Sequence, residues 1–179
     1  VLTALWFGIA KPVMSCFLKP FIAECNELSA NGFTFLNTTK ETCRIFVHAL
    51  VCSVDSVARC MVQGIKQFNG EYGCNWCLHK GSRIEKGNGT VRVYDAVIHE
   101  QRTANNLIAH ARQALSTGEC YGVLHASPLM LLRQFDTVRG FAVDYMRCVL
   151  LGVARSLASL WFDSEHHDAC YYLGRQSST

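Results

Sequence analysis

Residues 42–55 read "TCRIFVHALVCSVD" and residues 56–68 continue "SVARCMVQGIKQF". The first segment is rich in Val, Ile and Phe, and apolar at consecutive rather than alternate positions. That is the pattern of a strand covered on both faces. It ends on an acid, Asp55. The second segment places Val57, Met61, Ile65 and Phe68 about one helical turn apart. It predicts an amphipathic helix, with Ser56 as its N-cap and Gly64 as its weak point. A buried strand, a turn and a helix in that order are the basic unit of an α/β domain, so α/β is the expected class.

Upstream, "PVMSCFLKPFIAECNELS" (12–29) carries Val13, Phe17, Phe21 and Ile22 at helical spacing. Pro20 is expected to kink or split this helix, and Gly32 to cap its end. "FTFLN" (33–37) reads as a short strand. Downstream, residues 69–95 are irregular, with "GSRIEKGNGT" (81–90) a polar loop and "VRVYDAVI" (91–98) a strand candidate. "HEQRTANNLIAHARQALSTG" predicts a helix ending at Gly118. "HASPLMLLRQF" (125–135) is a loop entering an apolar turn. "FAVDYMRCVLLGVARSLASLWF" (141–162) sets Met146, Leu150, Val153, Leu157 and Leu160 on one stripe, a long C-terminal helix starting near Asp144. The whole chain, 1–179, reads as one domain: 1–68 helix, strand and helix; 69–125 a cysteine-containing insert; 126–179 a helical part.

Half of the 179 residues are hydrophobic and 17% are charged, which supports a real core and excludes a disordered tail. The formal charge of +3 is too mild to indicate a nucleic-acid binder by itself. Arg59, Lys66, Lys80, Arg83, Lys86 and Arg92 form a mild basic cluster around the insert, for which a solvated surface is expected. Most of the ten cysteines lie in apolar runs such as "MSCFL", "LVCSV" and "RCVLLG". They read as free, buried thiols in a reducing compartment rather than a secreted disulfide framework. The opening "VLTALWFGIAKP" lacks a basic leader and an initiator Met, which points to an upstream part outside this chain. The longest apolar runs fall far short of the ~20 residues that cross a bilayer, so no membrane association is expected.

Two motifs carry chemistry. Asp55, at a strand end, reads either as the cap of the next helix or as an oxygen ligand in a site beyond the strand's carboxyl end. In "NGEYGCNWCLHKG" (69–81), Cys74 and Cys77 are two residues apart. A redox pair should open a helix, where the dipole lowers a thiol pKa, and here glycine precedes the pair and a Gly-rich loop follows it. Two core thiols fit poorly beside Asn75 in a turn. Zinc uses this spacing, with two more Cys or His ligands elsewhere. His99, His125, His166 and His167 are within reach, whereas His79 is too close in the loop to join without strain.

Taken together, "VLTALWFGIAKPVMSCFLKPFIAEC", "CSVDSVARCMVQGIKQFNGEYGCNWCLHKG" and "SPLMLLRQFDTVRGFAVDYMRCVLLGVARSLASLWF" resemble the CACTA (En/Spm-like) DNA transposases, in particular the animal transposase domain-containing proteins. The resemblance runs over nearly the whole chain, in order. It implies an RNase H-like catalytic core, incomplete at the N-terminus, with a zinc-associated cysteine insert. It also implies that Asp55 is the second acid of a triad holding two Mg²⁺ or Mn²⁺ ions for DNA strand cleavage and transfer. The first acid would lie upstream of Val1, and Asp144 or Asp163 would stand for the third. Cys74 and Cys77 match the family's zinc-binding pair. Its downstream histidine partners are replaced here by Gln134 and Arg147, leaving His79 or His99 to complete the zinc set.

The resemblance therefore implies a nuclear protein whose intact relatives act on element-end DNA; a homo-oligomer is a further expectation for this chain. This chain is expected to be inactive. The alternative from another class is a domesticated, non-enzymatic DNA- or protein-binding domain.

Overall fold

The computed structural model describes residues 5–174. Helix α1 (Met14–Phe17) is one turn, and α2 (Lys19–Asn31) restarts after Leu18 with Pro20 in its first turn. There the missing N–H of proline has no intrahelical partner to lose. The expected split is thus present, and Gly32 ends α2 at φ +65°. Strands β1 (Phe33–Leu36) and β2 (Thr42–Ile45) form an antiparallel hairpin, with Phe33 opposite Ile45.

The continuous central strand expected over 42–55 is not formed. Its first residues make β2 and its end makes β3 (Cys52–Ser53), in separate two-stranded sheets. A strand is buried on both faces only if neighbours flank it, and none does so here. Phe46, Leu50 and Val51 are accordingly 50%, 57% and 67% exposed. The composition records an apolar, β-prone segment but not what lies beside it.

Helix α3 (Ser56–Gln63) follows β3. Its cap is Asp55, whose side chain accepts from the Ala58 N–H, and not Ser56. Gly64 terminates α3 in the left-handed region, φ +74°. The helix therefore buries Cys60, Val62 and Gln63, while Val57 and Phe68 of the expected stripe are exposed. Past Gly64 the backbone no longer carries the helical period. A Cβ at Gly64 would collide with the His125 carbonyl oxygen, on top of the positive φ. Gly64→Ala is expected to cost roughly 2 kcal/mol or more, read as a lower urea midpoint at unchanged slope.

The "GSRIEKGNGT" loop is in fact half of a hairpin: β4 (Ser82–Lys86) pairs antiparallel with β5 (Gly89–Val93) around Gly87–Asn88. Helix α4 (Ala104–Thr117) opens with a capping box between Thr103 and Asn106 and closes at Gly118, as expected. A 3₁₀ turn (Pro128–Leu131) precedes β6 (Phe141–Ala142), which pairs parallel with β3. Asp144 then caps a π-helical stretch (Tyr145–Ala154) that runs directly into α5 (Arg155–Phe162).

Two apolar clusters hold these pieces. One joins Ile22, Val62, Leu129, Leu132, Phe135 and Phe141; the other joins Ile65, Leu107, Ala111, Val123 and Val138. The α3 segment contributes to both, through Val62 and Ile65. The fold is a mixed, loosely α/β arrangement of helices and three two-stranded sheets. The 145–162 helix buries no residue, and its Met146, Val153 and Phe162 are more than half exposed. All ten cysteines are free, but only Cys60 and Cys120 are buried, fewer than their apolar surroundings led one to expect. No helix of the described residues is long and apolar enough to cross a membrane.

Candidate functional site

Strands β3 and β6 pair with Ser53 opposite Ala142. Asp55 lies two residues beyond Ser53, and Asp144 two residues beyond Ala142. The two acids thus leave equivalent positions at the carboxyl ends of paired parallel strands, where α/β folds build their sites. Each caps the helix that follows. Asp55 Oδ1 accepts from the Ala58 N–H at 2.7 Å; Asp144 Oδ1 accepts from Met146 N–H at 3.0 Å and Arg147 N–H at 3.3 Å. The Arg147 guanidinium, starting from the helix that Asp144 caps, reaches across and ion-pairs with Asp55 Oδ2.

The Mg²⁺ or Mn²⁺ pair implied by the resemblance does not fit these residues. A two-metal centre needs two or three carboxylates with oxygens free for the ions. Here both Asp55 oxygens are engaged and a guanidinium occupies the cation's place. No third ligand converges on these acids among the described residues. Asp163, the other candidate third acid, caps the short 3₁₀ turn Ser164–His166 instead.

The Ala58 N–H, and after it Arg147, hold the Asp55 carboxyl below the usual carboxylate range. A folded-state pKa below the unfolded value gives stability that is complete above about pH 4. It is lost as pH falls through the lower folded value. Asp55→Asn keeps the cap and removes the charge, and is expected to cost about 0.5–1 kcal/mol at pH 7 through the Arg147 ion pair and the helix N-terminus. The gap from wild type should shrink below about pH 4, as urea unfolding at pH 7 and pH 3 would show.

The cysteine pair lies in the turn that follows α3. A short antiparallel ladder fixes it: Arg102 N–H donates to Trp76 O, Leu78 N–H donates to Glu100 O, and Cys77 faces Gln101. Burial, then a hydrogen bond with Cys74, pushes the Cys77 thiol up. That is the wrong direction for a redox nucleophile. The group packed against the pair is Arg102, 3% exposed, whose Nε donates to Cys74 O at 2.9 Å. Its other donors reach Tyr72 O at 2.7 Å and Tyr121 O at 2.8 Å. No third Cys, His, Asp or Glu ligand atom converges with the two sulfurs among the described residues. The Zn²⁺ expected at this pair therefore does not fit the residues present.

Of the proposed histidine partners, His79 and His99 come together, but around an acid rather than the thiols. His79 Nε2 lies 3.0 Å and His99 Nε2 3.3 Å from Asp95 Oδ1. The two imidazole centroids are 3.7 Å apart. His79 is buried, while His99 is partly exposed and Asp95 exposed. Asp95 had no place in the sequence reading. The signal was its spacing, four residues before His99 and just past a β-rich segment.

The remaining candidates disperse. Gln134 is exposed in a turn at φ +63°. Arg147, standing where a zinc histidine was expected, serves Asp55. In the basic cluster Arg59 stacks on Trp76 at 4.6 Å, Lys66 pairs with Glu119, and Arg92 pairs with Glu71 at 3.5 Å. No protein-family model, curated protein or solved structure matches this chain.

Proposed function

We propose that this chain is a catalytically silent part of a CACTA-like DNA transposase, retaining the strand-end acid geometry of an RNase H-like core without its chemistry. One observation carries the reading. Asp55 and Asp144 stand at matched positions beyond two paired parallel strands, and an arginine neutralises the first. Intact relatives of this kind would hold divalent ions there and cleave DNA in the nucleus. In this chain, Arg147 supplies the positive charge, and the acid has become a helix cap and ion-pair partner.

The expected result is that the purified chain does not nick duplex DNA with Mg²⁺ or Mn²⁺. Nicking that disappears in Asp55→Ala would overturn the silent assignment. The pairing of Lys66 and Arg92 with Glu119 and Glu71 argues against a phosphate-binding face. A protein-binding scaffold is the second reading. The uncovered apolar surface of residues 145–162 favours it. Self-association in sedimentation, weakened by Leu157→Asp, would support that alternative.

A further inference from the structure

We propose that His79, Asp95 and His99 form a binding site for a divalent transition metal of the zinc class, separate from the cysteine pair and independent of the chain's ancestry. Three ligand atoms, one from each residue, lie within 4.8 Å of one another. The placement follows from the local fold. His79 leaves the ladder formed by residues 76–78 and 100–102, and His99 enters it on the opposite side. Asp95 follows directly on Tyr94 at the end of β5, which returns the hairpin chain to the ladder. The Tyr94 ring meets His79 edge-on at 5.2 Å, and its hydroxyl donates to Gly70 O at 2.7 Å. These contacts fix the buried imidazole from behind.

The spacing suits a metal. Zinc bonds to nitrogen and carboxylate oxygen run about 2.0–2.2 Å, so the edge of a tetrahedral site is roughly 3.3–3.5 Å. The 3.0 and 3.3 Å separations from Asp95 Oδ1 to the two Nε2 atoms, which are hydrogen bonds in the metal-free protein, lie close to that edge. Two imidazoles and one carboxylate select zinc, cobalt, nickel or iron over Mg²⁺ and Ca²⁺, which require mostly oxygen. The exposed side of Asp95 leaves the fourth position open to water.

Two backbone contacts limit the affinity. The Gly81 N–H donates to His79 Nδ1 at 2.8 Å, and the Asp95 N–H donates to His79 Nε2 at 3.2 Å. A metal at Nε2 displaces the Asp95 N–H, and the proton that a neutral ligating imidazole carries on Nδ1 gives up the Gly81 bond. Ligating imidazoles ordinarily have a partner that accepts this proton. Binding in the micromolar range is therefore expected, weaker than a closed structural zinc site.

The test is titration of the full, reduced chain with Co²⁺ and with Zn²⁺ alone, followed by visible absorption and calorimetry. The expected result is one equivalent bound. Affinity should fall at least about tenfold in Asp95→Asn and in His99→Gln, no less than the loss of a group that only supports a ligand. It should be unchanged in the Cys74→Ser, Cys77→Ser double variant, with no thiolate-to-cobalt band. Asp95 is exposed and His99 only partly buried, so circular dichroism should show both variants folded. No binding at millimolar metal, unchanged binding in Asp95→Asn, or loss of binding in the double cysteine variant would each overturn the proposal.

Discussion

Arg102→Met is expected to destabilise the protein by about 3 kcal/mol, as one end of a buried charged network is removed. The guanidinium is almost wholly buried and gathers three carbonyls: Cys74, Tyr72 and Tyr121. Two of these belong to residues with left-handed backbones, Tyr72 at φ 55° and Tyr121 at φ 46°. Non-glycine residues hold such conformations only when their surroundings impose them, and here the shared donor Arg102 Nη2 does so. Each hydrogen bond from a charged donor contributes roughly 1.5–3 kcal/mol. The desolvation of the cation, which pushes the Arg102 pKa down, offsets part of the total. Arg102→Lys should recover little, because one compact ammonium nitrogen cannot take the places of both Nε and Nη2, which hold carbonyls of separate segments. Chemical unfolding of both variants measures this. A loss under about 1 kcal/mol for Arg102→Met would mean that the loops hold themselves.

Gln63→Leu should cost about 2–3 kcal/mol, although it swaps a polar side chain for an apolar one of similar size. Gln63 is fully buried. Its Nε2 donates to Thr137 O at 2.9 Å, and its Oε1 accepts from Asn75 Nδ2 at 2.6 Å. The side chain thereby links α3, the cysteine turn and the segment before β6. Leucine would leave a buried amide and a buried carbonyl without partners. Gln63→Leu with Asn75→Leu should lose less than the two single changes summed, since each leaves the same broken bond. Additive losses in that cycle would show that the two amides do not act together.

The parts of the fold legible in the sequence were those set by local chemistry. Pro20, Gly32 and Gly118 placed helix ends because proline and glycine act through the backbone of their own residues. Asp144 likewise announced the start of the last helix. The central strand was misread because its apolar run specifies a wish for cover, while cover is supplied by distant residues. Val91–Val93 is legible as a strand, but its partner β4 is not, because Ser82, Arg83, Glu85 and Lys86 are polar, although a Gly-Asn pair between Ile84 and Val91 is a hairpin signal. At the sites, Asp55 was found from its position. Its partner Arg147 lies 92 residues away, and only the parallel pairing of β3 and β6 brings the two together. Arg102 carried no sequence signal, because a buried arginine looks like a surface one until the carbonyls around it are known. Asp95 carries little sequence signal of its own, because the CxxC spacing of Cys74 and Cys77 is the stronger metal pattern.

The central claim is that the strand-end acids serve the fold and hold no catalytic ion. Paramagnetic broadening of backbone amide signals on adding Mn²⁺ tests it most directly. The Ala58, Met146 and Arg147 amides all donate to the carboxylates in question. With millimolar Mn²⁺ these three signals should remain as sharp as those of distant residues. Selective broadening of all three that vanishes in Asp55→Asn would place a metal between Asp55 and Asp144 and contradict the account.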